Sequence, residues 1–168
     1  MKNRENIYKI TSIILMLDQF IKILVNKYLT LGSMVKIIPN FFSLIYLKNT
    51  GAAFSILEDS TLLLVIISVI IVIVLDKYIK KTKEFSKLEE ISLGLIMGGI
   101  FGNLIDRIIH HAVIDYLSFK FFGYNFPVFN LADMAITIGV VLIIISLIIE
   151  EKEKRSTKWV EMCLKSII

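Results

Sequence analysis

The chain has 168 residues, 56% of them hydrophobic, and a mean hydropathy of +0.76. That is too apolar for a soluble domain of this size and indicates a polytopic membrane protein. The formal net charge is +4 with one cysteine, Cys163, which excludes an internal disulfide and a paired-cysteine metal site, while the basic residues read as membrane-flank charge rather than a nucleic-acid surface.

Residues 1–9 are short and basic, and residues 10–31 are mostly apolar. A signal peptide begins this way, but Asp18, Gln19 and Lys22 interrupt the apolar core and no small-residue cleavage site follows. The segment is therefore expected to be a first membrane helix. Thr11, Asp18 and Lys22 share one of its faces, and Asp18 and Lys22 stand at i, i+4 in the acid-first order that favours an ion pair. Such a pair either makes the helix tolerable in lipid or supports a nearby site. Residues 32–60 differ, with Pro39-Asn40 and Asn49-Thr50-Gly51 as turn signals around a β-branched and aromatic run. They predict short strands outside the bilayer core. Asn49 suits a turn, and its amide equally suits a site.

Residues 61–79 form a second span, almost purely aliphatic and without chemistry of its own. Residues 76–90 carry Lys77, Lys80, Lys81, Lys83 and Lys87, a cytoplasmic type of charge. The third span, residues 91–109, is rich in glycine. Gly94, Gly98 and Gly102 recur every fourth residue, where bare backbone admits a neighbouring helix. Asn103, Asp106, Arg107 and His110 fall at i, i+3, i+4 and i+7 on another face. Residues 110–130 mix aromatics, a Gly-Tyr-Asn turn and Pro127, which predicts an interfacial loop with some extended structure. Residues 131–149 are the fourth span. The charged tail 150–168 includes Lys152, Lys154, Arg155 and Lys158 and an apolar stretch around Trp159 that suits a membrane surface. Taken together, residues 1–168 read as one membrane domain. The N-terminus, the 76–90 loop and the tail are its basic segments, which puts both termini in the cytoplasm. Asp18 with Lys22, Asn49, Arg107, Asp115 and Asp133 then all lie toward the outer half of the membrane.

Two carboxylates held close together cannot both ionise cheaply, so they share a proton. One can then act as base toward a water while the other polarises a carbonyl. Asp115 and Asp133 are the best pair, because each flanks a membrane helix on the same side. Asp133 has an alternative, since Asn130-Leu131-Ala132-Asp133 also reads as a capping box. The alternative for Asp115 is an ordinary interfacial acid. Asp106 with Arg107 suits an internal ion pair better than catalysis. His110 and His111 are adjacent, point in different directions on a helix, and lack the H-E-x-x-H spacing of a zinc protease.

At these residues the chain resembles the bacterial lipoprotein signal peptidases (signal peptidase II), membrane-embedded aspartic proteases. The resemblance rests on ordered segments: Asp18-Gln19 with Lys22, Asn49-Thr50-Gly51-Ala52-Ala53-Phe54, the run Gly98-Gly99-Ile100-Phe101-Gly102-Asn103-Leu104-Ile105-Asp106-Arg107, Val113-Ile114-Asp115-Tyr116, and Phe129-Asn130-Leu131-Ala132-Asp133. Tyr116 stands where the family usually has phenylalanine. The resemblance implies an all-α integral membrane protein of four transmembrane helices with a small extracytoplasmic β-rich cradle and a flap. It implies Asp115 and Asp133 as the catalytic pair, and Asn49, Gly99, Asn103, Asp106, Arg107, Asn130, Asp18 and Lys22 as substrate-binding or supporting positions. It also implies a diacylglyceryl-modified prolipoprotein as substrate, cut on the N-terminal side of its lipidated cysteine. No metal or other cofactor is expected, and the partners implied are that substrate and membrane lipid. The site is expected on the extracytoplasmic side of a bacterial cytoplasmic (inner) membrane, in a monomer.

A different class, a small transporter or channel subunit, would spread polar residues through the bilayer depth. Here they gather toward one side. A structural partner with glycine-faced packing accounts for Gly94, Gly98 and Gly102 but not for two outer aspartates.

Overall fold

The computed structural model describes residues 2–51 and 60–165, with side chains at 4–51 and 60–156. Ala52, Ala53 and Phe54 of the expected motif, the stretch around them, and the side chains of Trp159 and Cys163 lie outside the described residues. Among the described residues, four helices and four strands follow in order: α1 (Lys2–Tyr28), β1 (Met34–Ile38), β2 (Phe42–Asn49), α2 (Thr61–Lys81), α3 (Lys87–His110), β3 (Val113–Phe121), β4 (Tyr124–Asn125) and α4 (Leu131–Lys165).

The helix group is built around α3. Its start is fixed by a reciprocal cap, in which the Ser86 hydroxyl accepts from the Glu89 amide and the Glu89 carboxylate accepts from the Ser86 amide. Its glycines let two helices come close at once. A Cβ at Gly94 would meet Ile10 at 2.6 Å and one at Gly98 would meet Ile14 at 2.7 Å, both on α1, while one at Gly99 would collide with the Ala132 carbonyl on α4. The face expected from the four-residue spacing is therefore the α1 contact, and Gly99 adds an α4 contact.

Polarity is inverted relative to a water-soluble bundle. Thr11, Asp18 and Lys22 of α1 are buried against α3, whereas Ile13, Met16, Phe20 and Ile23 point outward. On α2 only Leu64 and Ile79 are buried. That is the arrangement of a protein whose surroundings are hydrocarbon. Among the described residues three helices are long and apolar enough to cross a membrane: α2, α3 and the Leu131–Ser156 part of α4. By composition α1, with 27 residues, falls short of that description because it carries polar groups on its inward face. Helix α4 runs on without a break past residue 149, and i, i+4 pairs of Glu150 with Lys154 and Glu151 with Arg155 support its charged continuation.

The strands form one antiparallel sheet in the order β1-β2-β3-β4. Asn40 (φ 60°) turns β1 into β2, and Phe122 (φ 47°) with Gly123 (φ 84°) turns β3 into β4, the left-handed pair that a tight hairpin favours. Between α3 and β4, where an interfacial loop with some extended structure was expected, β3 is a strand of nine residues. It pairs with β2 so that Leu47 faces Asp115 and Asn49 faces Val113. Residues 111–112 alone separate α3 from β3, so the sheet is anchored at the helix ends.

Tight α1–α3 contact gives a direct test. Gly98→Ala is expected to lower stability by about 1–3 kcal/mol through overpacking, read as the thermal unfolding midpoint in detergent. Adding Ile14→Ala should restore only a small part of that loss, because it removes Cγ2 at 2.9 Å but keeps Cβ at 2.7 Å and the Thr11 carbonyl at 3.0 Å.

Candidate active site

Asp115 leaves the buried end of β3, only 3% exposed. Its two oxygens each accept from an amide: Oδ1 from Asn130 Nδ2 at 2.7 Å, and Oδ2 from Asn49 Nδ2 at 2.9 Å. Asp133 stands in the first turn of α4. Its Oδ1 accepts from Asn103 Nδ2 at 2.7 Å and its Oδ2 from the Asn130 backbone amide at 3.1 Å. Asn130 thus touches both aspartates, one through its side chain and the other through its backbone. Burial first, and then the neighbouring Asp133 charge, push the Asp115 carboxyl up to about 6, against the lowering effect of its two amide donors.

The alternatives open from sequence hold simultaneously. Asp133 does cap α4, since its own amide donates to Asn130 Oδ1 at 2.9 Å in a reciprocal box, yet its second oxygen remains turned to Asn103. Asn49 does make a turn, accepting from the Gly51 amide at 2.9 Å, while its NH₂ end holds Asp115.

Behind the aspartates lies a buried charge cluster. Lys22 Nζ is 2.8 Å from Asp18 Oδ2 and 2.9 Å from Asp106 Oδ2, and it donates to Asn103 Oδ1 at 3.1 Å. The expected Asp18–Lys22 pair is present. The ion pair expected of Asp106 with Arg107 is formed instead with Lys22, because adjacent residues on α3 point to different neighbours. The same carboxylates hold two backbone amides. Asp106 accepts from Ile114 N at 3.0 Å and Asp18 from Ala132 N at 3.0 Å. These are the residues immediately before Asp115 and Asp133, so the cluster fixes the backbone that carries both.

Asn103, Arg107 and Asp133 open onto a cavity of about 730 Å³, otherwise lined largely by apolar groups such as Val128, Phe129, Met134 and Ile138. Arg107 donates to the Gly51 carbonyl at 3.0 Å, and its buried Nε has no partner among the described residues. A buried donor left over beside a cavity is suited to an incoming carbonyl or carboxylate. His110 and His111 take no part: His111 ends α3 in the left-handed conformation. Among the described residues no group of three or more His, Cys, Asp or Glu could hold a metal ion.

Sequence reasoning gave no role to Gln19, which donates to the Gly102 carbonyl at 3.1 Å and Asp106 Oδ1 at 3.0 Å and so clips α1 to α3. It also passed over Tyr116, whose hydroxyl accepts from Leu131 N at 3.1 Å at the start of α4. The only available signal was their adjacency to Asp18 and Asp115.

Lys22→Met leaves two buried carboxylates without their cation and is expected to cost about 3–5 kcal/mol. The triple variant Asp18→Asn, Lys22→Met, Asp106→Asn removes all three charges and should recover most of that loss. Unfolding midpoints in one detergent compare the two.

The family described as Signal peptidase (SPase) II matches residues 10–149 of this chain. A solved structure described as a bacterial membrane enzyme, obtained by the in meso method at 2.3 Å resolution, is 34% identical, with a TM-score of 0.80 over 86% of this chain and 88% of its own. Another with the same description, at 1.9 Å resolution, is 35% identical, with a TM-score of 0.74 over 82% of this chain and 89% of its own. With nearly all of its helices and strands inside the matched span, the chain belongs to the signal peptidase II family, the membrane proteases that cleave signal peptides from lipoproteins.

Proposed function

We propose that this chain is an aspartic endopeptidase that removes signal peptides from diacylglyceryl-modified prolipoproteins, with Asp115 and Asp133 as its catalytic pair. The observation that carries this reading is the shared partner Asn130, whose side chain holds the Asp115 carboxyl and whose backbone amide holds that of Asp133, a residue lining the cavity. In the resting pair one proton is held on the more deeply buried Asp115. Asp133, half-buried, takes a proton from a water as its oxygen attacks the scissile carbonyl, while the Asp115 proton moves toward the carbonyl oxygen. Collapse of the tetrahedral intermediate breaks the C–N bond as a hydroxyl proton returns to Asp115, and the proton held by Asp133 goes to the leaving amine. Arg107 Nε donates to a substrate backbone carbonyl, and Asn49, Asn103 and Asn130 keep the carboxyl oxygens oriented. Gly99 and the Asp18–Lys22–Asp106 cluster support the site without touching substrate.

In this reading α1 is a fourth membrane span. At 1.5 Å per residue its length is about 40 Å, enough to cross with its polar groups turned inward. Lys and Arg gather in the N-terminus, the α2–α3 connection and the tail, which supports a single multi-pass domain with cytoplasmic termini in the bacterial inner membrane and the sheet on the extracytoplasmic side. A monomer suffices, because one chain supplies every group the mechanism uses. The diacylglyceryl group stays in the bilayer beside the apolar part of the cavity while the peptide reaches the aspartates.

The test is a gel-shift cleavage assay on a purified diacylated prolipoprotein in detergent. Wild type is expected to cleave, and Asp115→Asn and Asp133→Asn should each fold normally yet lose turnover by about 1,000-fold or more. Near-normal cleavage by either variant would sink the pair assignment, and failure of the folded wild type on the lipidated substrate would sink the peptidase reading.

A further inference from the structure

The outer end of the sheet carries an amphipathic surface of which the catalytic reading uses only Phe126, a residue that also lines the cavity. Residues directly opposite in the ladder share a face. The pairs Val35↔Leu44, Ile38↔Phe42, Phe42↔Phe119 and Leu44↔Leu117 put an apolar band on the face that bears Asp115. Lys36, Lys48 and Lys120 stand on the opposite face and are exposed.

Away from the helices the apolar face is bare. Val35 is 45% exposed, Ile38 49%, Tyr124 62% and Phe126 46%, and Phe122, at the tip of the β3–β4 turn, is fully exposed. The aromatic groups pack against one another: Phe41 and Phe126 each meet Phe121 edge-on, at 5.1 and 5.4 Å. Apart from the buried Asp115, residues 32–49 and 113–129 contain no acid, so every exposed charge on the sheet is positive.

Short connections decide what covers this face. Residues 29–33 join α1 to β1, residues 111–112 join α3 to β3, and residues 126–130 join β4 to α4. With α3 and α4 spanning the membrane, the sheet is held at the lipid–water boundary and continues the lipid-facing surface of the helices. Aromatic rings with a lysine-bearing reverse side are the chemistry of that boundary.

We propose that the β3–β4 turn and the outer edge of the sheet are an interfacial membrane anchor. Phe122, Tyr124 and Phe126 enter the boundary between headgroups and acyl chains, and Lys36, Lys48 and Lys120 reach lipid phosphates. Asp115 lies six residues from Phe121 along β3, about 20 Å at strand rise. The anchor therefore fixes the depth of Asp115 relative to the bilayer. This inference rests only on the chain being an integral membrane protein, so it stands apart from the assignment of the catalytic pair.

The lone tryptophan of the chain, Trp159, makes a fluorescence test simple. Phe122→Trp in a Trp159→Phe background is reconstituted into vesicles of phosphatidylcholine and phosphatidylglycerol in equal parts, with bromine on the lipid either near the glycerol end or near the chain end. The expected result is blue-shifted emission, quenching by shallow bromine exceeding that by deep bromine, and roughly fivefold protection from iodide relative to a free tryptophan amide. Red-shifted, iodide-accessible emission insensitive to bromine would place the turn in water and overturn the proposal. Protection that follows protein density rather than bromine would point to a second copy of the chain on the exposed β1 edge, and would overturn it equally. The new side chain sits at a fully exposed tip, and an unfolding midpoint matching wild type confirms that the fold is unchanged.

Discussion

Everything at the site depends on one buried ammonium group. Lys22 is 2% exposed and Asp18 and Asp106 are 0% and 1% exposed, so each charge relies on the others for the solvation that water would give. The cluster carries one more negative than positive charge. The excess is met by backbone donors: Ala132 N in the first turn of α4, where a helix N-terminus favours an anion, and Ile114 N on β3. Four elements, α1, α3, β3 and α4, are thereby tied to one point. Because the two amides precede Asp115 and Asp133, the same interactions that make the charges tolerable also set where those side chains begin.

A second constraint is the close approach of backbones around α3. In lipid there is little hydrophobic drive between helices, so association relies on packing and polar contacts. The glycine face supplies the first, and the Lys22 cluster with Gln19 supplies the second. They depend on each other, because Lys22 can reach Asp106, and Asp18 the Ala132 amide, only if α1 lies against Gly98 and Gly102.

Local features were legible in the sequence. The glycine spacing, the Asp18–Lys22 pair and the strand-forming run before Asn49 follow from helix and strand periodicity, and the structure carries all three. The dual readings of Asn49 and Asp133 were legible only as alternatives, because spacing cannot show that one side chain uses one end for the backbone and the other for a neighbour. Contacts between distant segments were hidden. Nothing local pairs Asp106 with Lys22, and nothing local lets Asp18 hold Ala132 N. That Asp115 and Asp133 share Asn130 was likewise beyond spacing; they were paired because each flanks a membrane helix on the same side, and the family resemblance implied their catalytic role. The sequence bounded the fourth span at residue 149, and i, i+4 pairing carries α4 on into the charged tail.

The central claim is that this frame holds Asp115 close enough to Asp133 to feel its charge. The most direct measurement is a carbon-13 carboxyl NMR titration of detergent-solubilised protein, with Asp115 identified by its loss in Asp115→Asn. The account predicts that Asp115 titrates at about 6 and moves toward the ordinary carboxylate range in Asp133→Asn, where the neighbouring charge is gone. An Asp115 that titrates in the ordinary range, with no response to Asp133→Asn, would contradict it.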